Sequence, residues 1–110
     1  MLVVESSGFT KRLPGLLDDE GYALLKAKLA VSPDAGQLMP GTGGLRRLRW
    51  RRPGTGKRGG LRVIYYWWSN RDRIHLLSIY AKSHKSDLTT EEKSLLRKEL
   101  ENLVHHDDER

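Results

Sequence analysis

The 110-residue sequence contains no cysteine. That excludes a disulfide framework and a thiolate metal centre, so any core must hold by packing alone. No apolar run approaches the roughly 20 residues that a membrane-spanning helix needs. The opening MLVVESSGF is too short in apolar residues for the hydrophobic region of a signal peptide, so a cytoplasmic location without a membrane partner is expected. No internal repeat is visible. The most informative gap is one of charge: between Asp34 and Asp72 there is no Asp or Glu.

That gap is filled with cations. Arg46, Arg47, Arg49, Arg51, Arg52, Lys57, Arg58, Arg62 and Arg71 all fall inside it, whereas acids gather at Asp18 to Glu20, Glu91 to Glu101 and Asp107 to Glu109. The net charge of +6 and pI near 9.8 suit a polyanionic partner, through counterion release and long-range steering. The segregation carries more weight than the total. A chain of this length is one domain, residues 1–110, large enough to bury a small core.

Local patterns predict the elements. Leu2 to Glu5, short and β-branched, reads as a strand. Ser6 or Ser7 can cap a short helix through Leu13, with Phe9 and Leu13 four residues apart on one face, and Pro14-Gly15 ends or kinks it. Asp18, Asp19 and Glu20 favour a second helix start, which carries Tyr22, Leu25 and Leu29 at helical spacing until Ser32-Pro33. Ala35 to Gly44 has loop composition. LRRLRW, LRVIYYWW and IHLLSIYA predict three successive antiparallel strands, the middle one apolar enough to be covered on both faces. In the first of these, either phase mixes cations with apolar residues, so its facing is open. Thr89 and Glu92 form a capping-box pair that opens a last helix, with Leu96, Leu100, Leu103 and Val104 as its stripe. The tail 105–110 is expected to fray. The predicted class is α+β: a small antiparallel meander sheet, made of an N-terminal strand plus three strands, with two N-terminal helices and a C-terminal helix packed on it.

Gly54-Thr55-Gly56-Lys57-Arg58-Gly59 satisfies G-x-G-x-x-G, but a strand follows where a dinucleotide site needs a helix. A P-loop fails as well, because Arg58 stands where the metal-binding Ser or Thr must be. A hairpin loop bearing Lys57 and Arg58, able to reach a phosphate backbone, is the better reading. Arg62 interrupts an apolar strand, where an unpaired guanidinium is costly to bury. Trp50, Tyr65, Tyr66, Trp67 and Trp68 could offer stacking surfaces to single-stranded RNA, although most should be core. No group of His and carboxylates has metal-ligand spacing, so neither a metal nor another cofactor is expected.

PGTGGLRRLRW, GKRGGLRVIYYW and IYAKSHKSDLTTEE, in this order behind two short helices, resemble the RelE/HigB branch of bacterial toxins within the RelE/ParE superfamily. The resemblance spans Val3 to about Val104. It implies a small antiparallel sheet with packed helices, and the toxin of a type II toxin–antitoxin pair. The implied activity is ribosome-dependent, metal-independent cleavage of mRNA in the ribosomal A site, by attack of a ribose 2′-OH on the adjacent phosphate. The implied partners are mRNA, the ribosome at the 16S rRNA of the A site, and a cognate helix-turn-helix antitoxin. Such chemistry needs a base, an acid and cations for the charge on phosphorus oxygens. Arg62 matches the family's sheet arginine and Lys82 its lysine after the last strand, with Arg47 and Arg49 where relatives carry basic residues on the first meander strand.

The candidate catalytic set is therefore Arg62, Lys82, Arg49, Lys57 and His84, with Arg46, Arg47, Arg51, Arg52, Arg58 and Lys85 as RNA-binding residues. Within the catalytic set only Lys82, Lys57 and His84 can exchange protons, since arginine stays charged. The chain departs from the family pattern in two places. Thr89 and Thr90 occupy the neighbourhood of a tyrosine that helps some relatives activate the nucleophile, and His84 stands where close relatives often have an acid. Two alternatives remain open at this level: a ParE-like gyrase poison, and a non-enzymatic RNA- or ribosome-binding module. Leu13, Leu16 and Leu17, beside the Pro-Gly break, are expected to offer apolar surface to an antitoxin docking away from the arginines.

Overall fold

A computed structural model describes residues 1–52, 59–85 and 87–108. The chain runs β1 (Leu2–Glu5), α1 (Ser7–Arg12), a 3-10 turn, α2 (Asp19–Val31), β2 (Gln37–Leu38), β3 (Leu45–Arg51), β4 (Gly60–Trp68), β5 (Arg73–Ala81) and α3 (Thr90–Asp108). The glycine-rich loop with Lys57 and Arg58 lies outside the described residues.

Caps set the helix starts where the sequence places them. The Ser6 hydroxyl accepts from the Phe9 N–H at 3.2 Å, and Asp18 accepts from the Gly21 N–H at 2.7 Å. Thr89 and Glu92 exchange reciprocal bonds at 2.9 and 3.1 Å, satisfying two donors that the first turn of α3 leaves open. α3 then continues through Asp108, past the point where the tail was expected to fray. Leu100 is buried, and Leu96 and Val104 pack against the same cluster, so tertiary contact holds the helix this far.

The sheet has five strands in the order β1-β5-β4-β3-β2, with β4 at the centre. Two features refine the expected meander. β1 pairs with β5 in parallel, so the sheet is mixed, and two residues of the supposed loop, Gln37 and Leu38, form an edge strand on β3. The first follows from α1 and α2 carrying the chain away before the meander begins. The second rests on a close approach. Gly36 donates to the Tyr65 hydroxyl at 2.8 Å, and a Cβ there would stand 2.8 Å from the Tyr65 ring.

Alternation along the strands splits the core in two. Leu48, Leu61, Val63, Tyr65, Ile74, Leu76, Ile79 and Ala81 meet Phe9, Leu17, Leu25 and Leu29 on the face covered by α1 and α2. Leu45, Ile64, Leu77 and Tyr80 meet Met39, Leu88 and Leu100 on the other. Of the leucines expected to offer apolar surface near the Pro-Gly break, Leu17 is buried, whereas Leu13 and Leu16 are half-buried against the first cluster and Leu16 lines an open hollow with Leu17 and the exposed Leu24. No helix among the described residues is long and apolar enough to cross a membrane.

Candidate phosphate-binding site

The facing of β3, open in the sequence, is settled by register. Arg47 pairs with Ile64 and Arg49 with Arg62, while Leu48 pairs with Val63. Directly paired residues point to the same face of a sheet, so Arg47, Arg49 and Arg51 project with Arg62 on the α3 face. Their spacing along the strand is about 7 Å, two residues of β rise. Arg46 projects the other way. It donates to the carbonyls of Asp34 and Gly36 at 3.2 and 2.8 Å and lies over the Trp67 ring. Arg52 is also turned from the site, lining a hollow with Leu16, Leu17, Leu24 and Glu20. The arginine run is therefore two sets, one structural and one facing solvent.

Arg62 stands at the centre of the second set. It is only 8% exposed. Its guanidinium donates to the Leu61 carbonyl at 3.2 Å, and no carboxylate pairs with it among the described residues. A buried cation without an acid is unfavourable unless an anion completes the site. Beside it, Arg49, Trp50, Arg51, Gly60 and Lys82 line an open hollow of about 400 Å³. A second hollow shares Arg49 with it, and a third shares Arg47 with the second and adds Lys93 and Asp87. Together they make a cationic track along β3 with one acid in its wall.

That acid partly occupies the track. Asp87 accepts from Arg47 at 2.8 Å and lies 3.6 Å from Lys93. Burial pushes its carboxyl up, but the Leu88 N–H, Lys93 and Arg47 outweigh that and hold it below its ordinary value. Lys85 is paired with Glu92 and sits over the Tyr80 ring, so its charge already has a partner. Lys82 is exposed in the turn after β5, where its N–H bonds the Gly60 carbonyl at 3.0 Å. His84 is exposed in the same turn and lines none of these hollows. The structure thus joins Arg47, Arg49, Arg51, Arg62 and Lys82, and leaves Arg46, Arg52 and His84 outside. Lys57 and Arg58 fall outside the described residues.

The aromatic block is mostly core. Tyr65 and Trp68 are buried, and Trp67 packs against the α1–α2 cluster. Trp50, in register with Leu61, packs against the same cluster, although it also borders the hollow beside Arg62. One residue absent from the expected set does belong to the site. Tyr80 pairs directly with Arg62 across β4 and β5, so Arg49, Arg62 and Tyr80 form one row across three strands. It arrives there through an irregularity. Ile64 pairs with Ser78 and Tyr65 with Leu76, which leaves Leu77 as an extra residue in β5. Without that bulge, strict alternation would turn Tyr80 to the opposite face beside Leu61. The only sequence trace is IHLLSIYA itself, whose apolar residues break alternation at Leu76-Leu77.

Among the described residues no group of three or more His, Cys, Asp or Glu stands where it could hold a metal. Cations and one phenol remain. Such a set can bind and polarise a phosphodiester, because guanidinium forks match its paired oxygens.

No family model matches the sequence. Comparison with solved structures finds a likeness to the E. coli toxin RelE, seen in the free state as a double arginine-to-alanine mutant. It has 16% identity and a TM-score of 0.54 over 77% of this chain and 86% of that one. The intact E. coli RelBE toxin–antitoxin complex matches at 15% identity and a TM-score of 0.50, over 73% of this chain and 94% of that chain. The chain has the α+β fold of RelE.

Proposed function

We propose that this protein is the toxin of a toxin–antitoxin pair and acts as a ribosome-dependent mRNA endoribonuclease. The observation that carries the reading is Arg62, a buried guanidinium without a carboxylate partner among the described residues, in register with Arg49 and next to an open hollow that Lys82 also lines. A phosphate in that hollow would supply the missing negative charge. The likeness in fold to RelE, and to RelE bound to its antitoxin, supports the same reading.

The chemistry follows from what these side chains can do. Attack of a ribose 2′-OH on the neighbouring phosphorus forms a new P–O bond and breaks the bond to the 5′ oxygen, leaving a cyclic phosphate and a free 5′-hydroxyl. Arg62 and Arg49 would hold the non-bridging oxygens as charge builds on them, an effect that is large where water is excluded. Lys82, at the rim of the hollow, would give a proton to the departing oxygen, while the 2′-OH loses its own to solvent. Arg47 and Arg51 would bind phosphates on either side. No strong base lies among these residues, which accords with a toxin that needs the ribosome to orient its substrate.

The partners proposed are mRNA in the ribosomal A site, with its 16S rRNA, and a cognate helix-turn-helix antitoxin, in the cytoplasm. The test is to map transcript 5′ ends after brief induction, beside cleavage of naked and ribosome-bound mRNA by purified protein. New 5′ ends within translated codons, and cleavage on programmed ribosomes only, are expected. Growth arrest with intact transcripts and altered DNA supercoiling would instead assign the protein to gyrase.

A further inference from the structure

Tyr80 is 6% exposed, and its hydroxyl is fully buried. Most buried phenols find a hydrogen-bond acceptor, because leaving one unmade costs about 1–3 kcal/mol. This one has none. Its surroundings are those of the site rather than of an inert core. It shares a register row with Arg62, and Arg47, Arg62 and Asp87 all act on it electrostatically. The Leu77 bulge that turns it to this face is itself held, since the Ser6 hydroxyl donates to the Leu77 carbonyl at 3.0 Å.

Resting on the ribonuclease reading above, we propose that Tyr80 is a catalytic hydrogen-bond donor, its phenolic O–H contacting a non-bridging oxygen of the RNA phosphate held by Arg62 and Arg47. In the free protein the Asp87 carboxylate takes the place of that phosphate on Arg47. An ion pair this exposed contributes little stability, so an incoming phosphodiester can replace it and bring an acceptor to the phenol. The group suits a donor and not a base. Burial, with Asp87 adding to it, pushes the hydroxyl above its ordinary value against the pull of Arg47 and Arg62, so it stays protonated.

Tyr80→Phe removes the hydroxyl and keeps the ring packed on Leu77 and Leu88. On programmed ribosomes, kcat for mRNA cleavage should fall about 100-fold, the loss typical of one donor to a developing oxyanion. KM should stay as it was, and the thermal midpoint should hold or rise because a buried O–H without an acceptor is gone. Cleavage by the variant at the wild-type rate would overturn the proposal and leave the ribonuclease reading standing. A lost rate accompanied by a lowered thermal midpoint would overturn it too, making Tyr80 a packing residue. Wild-type protein that cleaved nothing on ribosomes would remove the ribonuclease reading and this proposal together.

Discussion

The two faces of the sheet are made from alternate residues of the same strands and have opposite characters. Toward α1 and α2, β4 presents Leu61, Val63 and Tyr65, all fully buried, and even Arg46 on that side is tied to backbone carbonyls. Toward α3, the same strand presents Arg62, Ile64 and Tyr66. There α3 covers only the end near Leu45 and Ile64 and leaves the Arg49–Arg62 end open. One face is filled by packed apolar side chains; the other carries clustered charge and a phenolic O–H without an acceptor among the described residues. A small domain can tolerate that deficit because the first face supplies its stability.

The largest effect expected is on the covered face. Phe9→Ala should cost about 3–5 kcal/mol, the transfer and cavity terms for a fully buried aromatic, read by urea denaturation. For a domain this small that is most of the stability available. A cost below about 1 kcal/mol would break the comparison by showing that α1 is not what holds the sheet.

Arg62→Ala tests the open face. Cleavage should fall by about two to three powers of ten, as when a transition-state charge loses its partner. The circular dichroism spectrum should stay intact, because Arg62 has no acid to abandon among the described residues. Lost growth inhibition with a collapsed spectrum would make Arg62 structural and erase the difference between the faces.

Arg46 and Arg49 sharpen it further, being near neighbours on one strand that project to opposite faces. Arg46→Ala removes the bonds to Asp34 and Gly36 and should lower stability by about 1 kcal/mol with toxicity kept. Arg49→Ala should leave the denaturation midpoint alone and weaken cleavage about tenfold, the worth of a charge-assisted hydrogen bond. The same phenotype for both would mean that the run acts as one undivided patch.

The smallest effect is a pH dependence confined to the covered side. Glu5 accepts from the Thr10 and Tyr22 hydroxyls, each at 2.6 Å. These bonds hold its carboxyl below the ordinary 4.5 against a small effect of burial. A lowered folded value gives stability that is present above the unfolded value and lost as pH falls through the folded one. Glu5→Gln should therefore flatten the acid limb of the thermal midpoint just below that range. An unchanged limb would show that the pair of bonds contributes nothing.

How much of this was readable beforehand depended on the range of the interaction. Helix starts at Ser6, Asp18 and Thr89 rest on side chains three residues from the groups they bond, so the sequence displays them. The apolar run of β4 announced a central strand for the same local reason. Gln37-Leu38 gave no such signal, because a two-residue strand exists only when β3 lies beside it. The parallel pairing of β1 with β5 joins residues some seventy positions apart. Tyr80 was missed because its facing depends on one extra residue, Leu77, whose effect is visible only against β4.

Sequence alone determined the α+β class, the concentration of arginines in one stretch without acids, and the resemblance that pointed to RNA. Those are properties of composition and short-range pattern, which fix propensity and charge before any chain folds. Only the tertiary structure decided which arginines share a face, that Asp87 and not solvent meets Arg47, and that Tyr80 joins Arg62 instead of Leu61. The physical reason is the two-residue period of a strand. A single added residue reverses every side chain beyond it, and nothing but pairing with the neighbouring strand reveals that it is there.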